Sequence, residues 1–246
     1  MSTEPSKLRL VWVYPDLLST YGDRGNLLVL THRAALRGLR VEPVEVRSDR
    51  PVPVDGDVYL LGGGEDGAQS LAAQRLRADG VLYRAAERGG VIFAVCAGYQ
   101  LLGTSFIAKG TRHAGLGLLD VQSDRGPSRA VGELAGEVDP QLALPPLTGF
   151  ENHGGRTHLG PDARPLATVV AGTGNDGSTE GAWQGRVLGT YAHGPALARN
   201  PGLADLLLCW ATGLALPPVD DEWPQRLRTE RLGALRLRRP GLTAAR

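Results

Sequence analysis

The run Val91–Val95 (VIFAV), followed at once by Cys96-Ala97-Gly98 and then Tyr99–Leu102, constrains this chain more than any other segment. A continuous apolar run of this length suits a strand covered on both faces. A helix that begins directly after it requires a tight strand-to-helix turn, with Cys96 at the apex. Such a turn forces its apical residue into an unusual backbone conformation, lifts the side chain above the sheet edge and turns the next N–H toward the same space. Gly98 lets helix and strand approach closely. A helix N-terminus also favours negative charge, which suits a thiolate. Cys96 is therefore read as a nucleophile. Cys209, inside LLLCWA at helical spacing, is read as a core residue.

The flanking pattern predicts the frame around this turn. Leu8–Val13, Val41–Val46 and Val58–Leu61 read as strands, and Asn26–Leu36 reads as a helix stopping at Gly38. Ala68–Arg88 has the Ala/Leu/Arg composition of one or two amphipathic helices. This order predicts an α/β fold, a mainly parallel sheet with helices on both faces. From about Gly115 to Ala192, short runs such as Val169–Ala171 and Arg186–Tyr191 lie between Gly/Pro-rich turns and predict antiparallel hairpins added to the same sheet. Leu203–Ala211 and Asp220–Arg239 read as closing helices. One domain over residues 1–246 is expected, with residues 1–7 and about 240–246 flexible.

Composition bounds the partners. The 246 residues carry a net charge of +1, so no bulk field points to nucleic acid. The arginines from Arg226 to Arg239 read as a solvated helix face. Two well-separated cysteines do not suggest a disulfide framework, the polar start Met1–Lys7 does not resemble a signal peptide, and no apolar run approaches the roughly 18 residues of a membrane span. A soluble protein of the cytoplasm is expected.

Acyl chemistry at a cysteine needs an oxyanion hole and a base. Gly62-Gly63-Gly64 follows a strand expected to neighbour the Cys96 strand, so its N–H groups can complement that of Ala97. It lacks the Lys-Ser/Thr that would make it a nucleotide-binding loop. Among five histidines, His193 ends the strand RVLGTYAH and is followed by Gly194-Pro195, which leaves its imidazole at the sheet edge as the candidate base. His32 sits in a helix pattern, His113 lacks context, and His153 and His158 have no further clustered ligands, so no metal site is read.

Together, YPDLLSTYGDRGN, GGGED, VCAGYQLLG, GFENHGGRT and GTYAHGPALARNP resemble the class I (triad-type) glutamine amidotransferases, which have a flavodoxin-like sheet, and within them the cobyric-acid-synthase-like branch. More narrowly the chain is similar to the GatD-type glutaminase subunits of lipid II isoglutaminyl synthases. These motifs span residues 14–201.

That resemblance implies a subunit that hydrolyses L-glutamine to glutamate and ammonia, with Cys96 as nucleophile, His193 as base, and Gly64 and Ala97 as oxyanion donors. It implies Arg129, Gly63 and Gln100 as substrate-binding residues. No cofactor is expected in this chain. ATP is expected on a Mur-ligase-like (MurT-type) synthetase partner that amidates the D-glutamate α-carboxyl of lipid II, which would hold the pair at the inner face of the membrane. The residue two after His193, where full triads carry a carboxylate, is Pro195, so Glu151 or the partner subunit is left to supply one. Two alternatives stand beside this: ammonia supply for a cobyric-acid-type or other carboxylate, and a catalytically silent regulatory module.

Overall fold

The computed structural model describes residues 7–19 and 23–237. The flexible ends expected at 1–7 and 240–246 lie outside the described residues, Lys7 apart. The first half alternates strands and helices: β1 (Leu8–Val13), α1 (Arg24–Ala35), β2 (Val41–Val46), β3 (Val58–Leu61), α2 (Asp66–Asp79), α3 (Val81–Glu87), β4 (Val91–Val95) and α4 (Ala97–Leu102). Gly80, at φ 66°, splits the long Ala-rich stretch into α2 and α3. The second half contains β5 (Ser105–Ala108), β6 (Thr111–Ala114), the long β7 (Val121–Val138) and β8 (Leu147–Leu159), then β9 (Ala167–Ala171), β10 (Thr179–Glu180), β11 (Ala182–Gln184) and β12 (Val187–Thr190). Helices α5 (Ala196–Arg199), α6 (Pro201–Thr212) and α7 (Glu222–Leu237) close the described chain.

Six strands form the main sheet in the order β11-β12-β4-β3-β1-β2, parallel except for β11. Its side chains alternate between two cores, as a strand buried on both faces requires. Ile92 and Ala94 of β4 pack with Leu76 and Leu82 of the α2–α3 layer. Val91, Phe93 and Val95 pack with Leu30, Leu203 and Leu207 of the α1–α6 layer.

The second half departs from expectation. Its hairpins do not all extend the main sheet; most form a second sheet, β10-β9-β7-β5-β6, with β8 paired along β7. The exception is the β11–β12 hairpin, whose β12 runs parallel to β4 in the main sheet. The expected solvated arginine face also departs at one residue. Arg228 of α7 is buried and donates to the carbonyls of Arg199 and Pro146 and to Asn200 Oδ1, which ties the helix down.

Three neighbouring strands, β3, β4 and β12, therefore end side by side at one carboxyl edge. In open α/β sheets that edge is where ligands bind. The glycine triplet, Cys96 and the segment leading to His193 each leave from one of them. Among the described residues no helix is long and apolar enough to cross a membrane.

Candidate active site

Cys96 occupies the turn between β4 and α4 with φ 54° and ψ −109°. A non-glycine residue held there stores about 1–3 kcal/mol that the surroundings must offset. Backbone hydrogen bonds hold it from three sides: Cys96 N to the Thr190 carbonyl (2.8 Å), Gln100 N to the Cys96 carbonyl (3.0 Å) and Gly98 N to the Gly62 carbonyl (3.1 Å). A β-carbon on Gly98 would lie 2.8 Å from that last oxygen, so glycine is required for the approach. Helix α4 is only six residues long, so its dipole is a smaller aid to a thiolate than the sequence suggested.

His193 lies directly behind the thiol. Its backbone is pinned to β8 by two hydrogen bonds with Phe150, N to O at 2.8 Å and O to N at 3.1 Å. The imidazole is buried, and Asp23 and Cys96 are the groups that act on its charge. Its Nδ1 lies 3.5 Å from Asp23 Oδ1, with both side chains 2% exposed. That separation is long for a hydrogen bond and short enough for an ion pair; such contacts commonly tighten when substrate binds. With Nδ1 turned to Asp23, Nε2 is the nitrogen left for the thiol. Burial alone would pull the imidazolium's pKa down. Asp23 and Cys96 together outweigh burial and raise it to about 9.

Asp23 is the functional residue that sequence reasoning missed. It stands at the N-cap of α1, yet its side chain makes no capping bond. Its Oδ2 instead accepts the Gly63 N–H at 2.5 Å. The following residues explain how it gets there. A β-carbon on Gly25 would lie 2.1 Å from Pro195 Cγ, and Asn26 Oδ1 accepts the Leu197 N–H at 3.0 Å. The segment Asp23–Asn26 thus clasps the HGPAL segment, and Pro195 packs against it instead of supplying a carboxylate. Nothing in local spacing marks Asp23; its position beside a helix start without a capping role becomes evident only in three dimensions.

Glu151, the in-chain carboxylate suggested earlier, is engaged elsewhere. Its oxygens accept the N–H groups of Thr173 (2.7 Å) and Gly174 (2.8 Å), and His153 Nε2 lies 3.4 Å away. Burial raises its pKa, but those hydrogen bonds prevail and the net shift is downward.

A cleft of about 580 Å³ opens in front of Cys96, lined by Gly64, Ala97, Gln100, Arg129, Asn152 and His153 among others. Gly64 and Ala97 bring one backbone amide each to the wall that holds the thiol. A β-carbon on Gly64 would meet the Leu17 carbonyl at 2.7 Å. Arg129 reaches the cleft from β7 with Nε on Asn152 Oδ1 at 2.6 Å, a fixed guanidinium suited to a carboxylate. Gly63 and Gln100 are placed differently from Arg129. Gly63 gives its N–H to Asp23, and a β-carbon there would lie 3.2 Å from His193 Cε1, so it packs behind the dyad. Gln100 lines the cleft, but its amide joins Gln69 Nε2 (2.8 Å) and the Tyr191 hydroxyl (3.0 Å).

Of the other histidines, His153 also lines the cleft. His32 and His158 are exposed, and His113 stacks on Phe106. His153 stacks on Tyr191 with ring centroids 3.7 Å apart. Cys209 is half-buried on α6.

A strained cysteine, a buried histidine on a carboxylate, two amides and a fixed arginine around one cleft can carry nucleophilic acyl transfer from a small amino-acid amide. Comparison with known proteins agrees. Residues 9–201 match the CobB/CobQ-like glutamine amidotransferase domain. The chain is 36% identical to the GatD subunit of the glutamine-hydrolysing lipid II isoglutaminyl synthase of Staphylococcus aureus, over 84% of this chain and 87% of that one. It is 34% identical to the Streptococcus pneumoniae GatD subunit, over 92% and 91%. Cobyric acid synthase of Sphingopyxis alaskensis is 34% identical over 68% of this chain, but over only 34% of its own length. A solved glutamine amidotransferase shares the fold at a TM-score of 0.58 and 21% identity, over 82% of this chain and 98% of that one. The chain belongs to the CobB/CobQ-like family of glutamine amidotransferases.

Proposed function

We propose that this chain is the glutaminase subunit of a lipid II isoglutaminyl synthase. It would release ammonia for a Mur-ligase-like, ATP-dependent partner that converts the D-glutamate α-carboxyl of lipid II to the amide. The observation that carries the glutaminase half is the Cys96–His193–Asp23 alignment at the head of the cleft. The acceptor half is supported by likeness to GatD subunits over nearly the full length of both chains, whereas cobyric acid synthases are matched over a third of theirs.

In the reaction, Cys96 gives its proton to His193 and the thiolate attacks the side-chain amide carbon of glutamine. The N–H groups of Gly64 and Ala97 hold the oxyanion. His193, kept cationic by Asp23, returns the proton to the departing nitrogen, and ammonia leaves a γ-glutamyl thioester on Cys96. Water, deprotonated by His193, cleaves the thioester to glutamate and restores the thiol. Arg129 takes the substrate α-carboxylate and sets the amide over the thiol.

The test is glutamine hydrolysis by the chain with and without a co-expressed Mur-ligase-like subunit, ATP and lipid II. Glutamate release that vanishes in Cys96→Ala, together with amidated lipid II only when all components are present, is the expected result. Glutamate release by Cys96→Ala would overturn the glutaminase assignment. Amidation of a corrinoid carboxylate instead of lipid II would overturn the acceptor.

A further inference from the structure

Between the end of β12 at Thr190 and the pairing of His193 with Phe150, the chain leaves the sheet ladder. Tyr191 and Ala192 are both fully buried there, so their N–H groups need partners that the ladder does not provide. Glu180 and Thr190 provide them. Glu180 Oε1 accepts the Tyr191 N–H at 2.8 Å and the Thr190 hydroxyl at 2.5 Å. That hydroxyl in turn accepts the Ala192 N–H at 3.0 Å, and the Thr190 carbonyl accepts the Cys96 N–H at 2.8 Å. One side chain on β10 thus stands at the root of hydrogen bonds that reach Cys96 and Ala192, the residue before His193.

The geometry points to Glu180 as a positioning residue for glutamine hydrolysis: through Thr190 it fixes the backbone that carries Cys96 and His193. The assignment rests on the glutaminase reading above. Glu180 itself does not reach the cleft, and it is buried completely. Its Oε2 has no hydrogen-bond partner among the described residues, and no salt bridge there engages it. A buried carboxyl without a cation is costly as a space filler. Here Oε1 satisfies two donors at once, a task that either an acid or an amide oxygen performs and that no alkyl side chain can.

The test uses the full chain with its co-expressed ligase partner and the variants Glu180→Gln, Glu180→Ala, Thr190→Ser and Thr190→Val. Two quantities are measured: glutamine hydrolysis as separate kcat and KM, and the rate of Cys96 alkylation by iodoacetamide at pH 7. Misplacing a reacting group by about 1 Å can cost about 100-fold, so Glu180→Ala and Thr190→Val should lower kcat roughly 10- to 100-fold with KM within about twofold. Glu180→Gln and Thr190→Ser keep the acceptor and the hydroxyl and should stay within about threefold of the parent. Alkylation should slow in the same two variants.

Combining Glu180→Ala with Thr190→Val should cost little more than either alone, since both cut one chain of bonds. If Glu180→Ala does not fold, Thr190→Val against Thr190→Ser decides the matter. Parent-like kcat and alkylation in Thr190→Val would overturn the assignment, as would losses confined to KM. Should the parent hydrolyse no glutamine, the glutaminase reading fails by itself, and alkylation still judges the brace.

Discussion

Pro195 fills the space where Gly25 would carry a β-carbon, its Cγ 2.1 Å from that position. This contact seats the start of α1 against the turn after His193, and it brings Asp23 beside the imidazole. Gly25→Ala should therefore do two things. Overpacking of this kind costs about 1–3 kcal/mol, which a urea titration would register. The displaced α1 start should also lower kcat more than it raises KM for glutamine. Unchanged kcat in a folded Gly25→Ala protein would separate the clasp from catalysis.

Asp23→Asn removes one of the two groups, Cys96 being the other, that hold His193 at about 9. The imidazolium that protonates the departing nitrogen should then be lost at lower pH, so the alkaline limb of kcat/KM moves down toward the ordinary histidine range near 6.5. In a triad of this kind, losing the carboxylate costs up to about 10⁴-fold in kcat. Stability moves with it. Because the folded-state pKa is raised, the contribution from His193 is complete below about pH 6.5 and lost as pH rises through about 9. Melting curves from pH 6 to 10 should fall less steeply for Asp23→Asn than for the parent.

The positive φ of Cys96 separates stability from activity. Cys96→Ala and Cys96→Gly should both abolish glutamine hydrolysis. Glycine accepts that backbone without a β-carbon, so Cys96→Gly should be about 1 kcal/mol more stable than Cys96→Ala. Equal melting temperatures would mean that the turn carries no strain.

Glu180 has its pKa raised to about 7, with burial as the main cause; hydrogen bonds from Thr190 and Tyr191 oppose it and Glu151 adds to it. The ionisable side chains acting around it include Glu151 and Tyr99, neither of them a cation at neutral pH. The folded chain thus keeps this proton longer than the unfolded chain, and stability falls as pH rises from about 4.5 to about 7. Glu180→Gln cannot ionise, so denaturant midpoints at pH 5 and pH 8 should differ less for it than for the parent.

Arg129→Ala should raise KM for glutamine by about tenfold or more, while Arg129→Lys should recover only part of the loss. An ammonium keeps the charge but not the planar fork that now holds Asn152. Isothermal titration of glutamine into Cys96→Ala with each arginine variant would isolate this binding effect from chemistry.

The parts of the fold readable in the sequence are those governed by short-range pattern. Strands β3 and β4 are continuous apolar runs, and β1 is interrupted only by Arg9, because both of their faces are covered; the abrupt change from VIFAV to CAGYQ marks the turn at Cys96. The Gly-Pro after His193 likewise marks a strand end. The second sheet was not legible. Strand β7 alternates irregularly between buried and exposed residues, and Gly126, Pro127 and Gly132 within it read as turns. Asp23 was hidden for another reason. Its role depends on a fit between Gly25 and Pro195, residues far apart in the chain, and no local pattern encodes such a fit.

Asp23 offers one oxygen to His193 and the other to the Gly63 N–H. The proton-transfer group and the glycine loop that carries the Gly64 amide are therefore yoked to a single carboxylate. They are tied through Asp23, so any displacement of that carboxylate moves both together. The rate of ammonia release can therefore be set at one carboxylate, without a change in any group that touches the substrate.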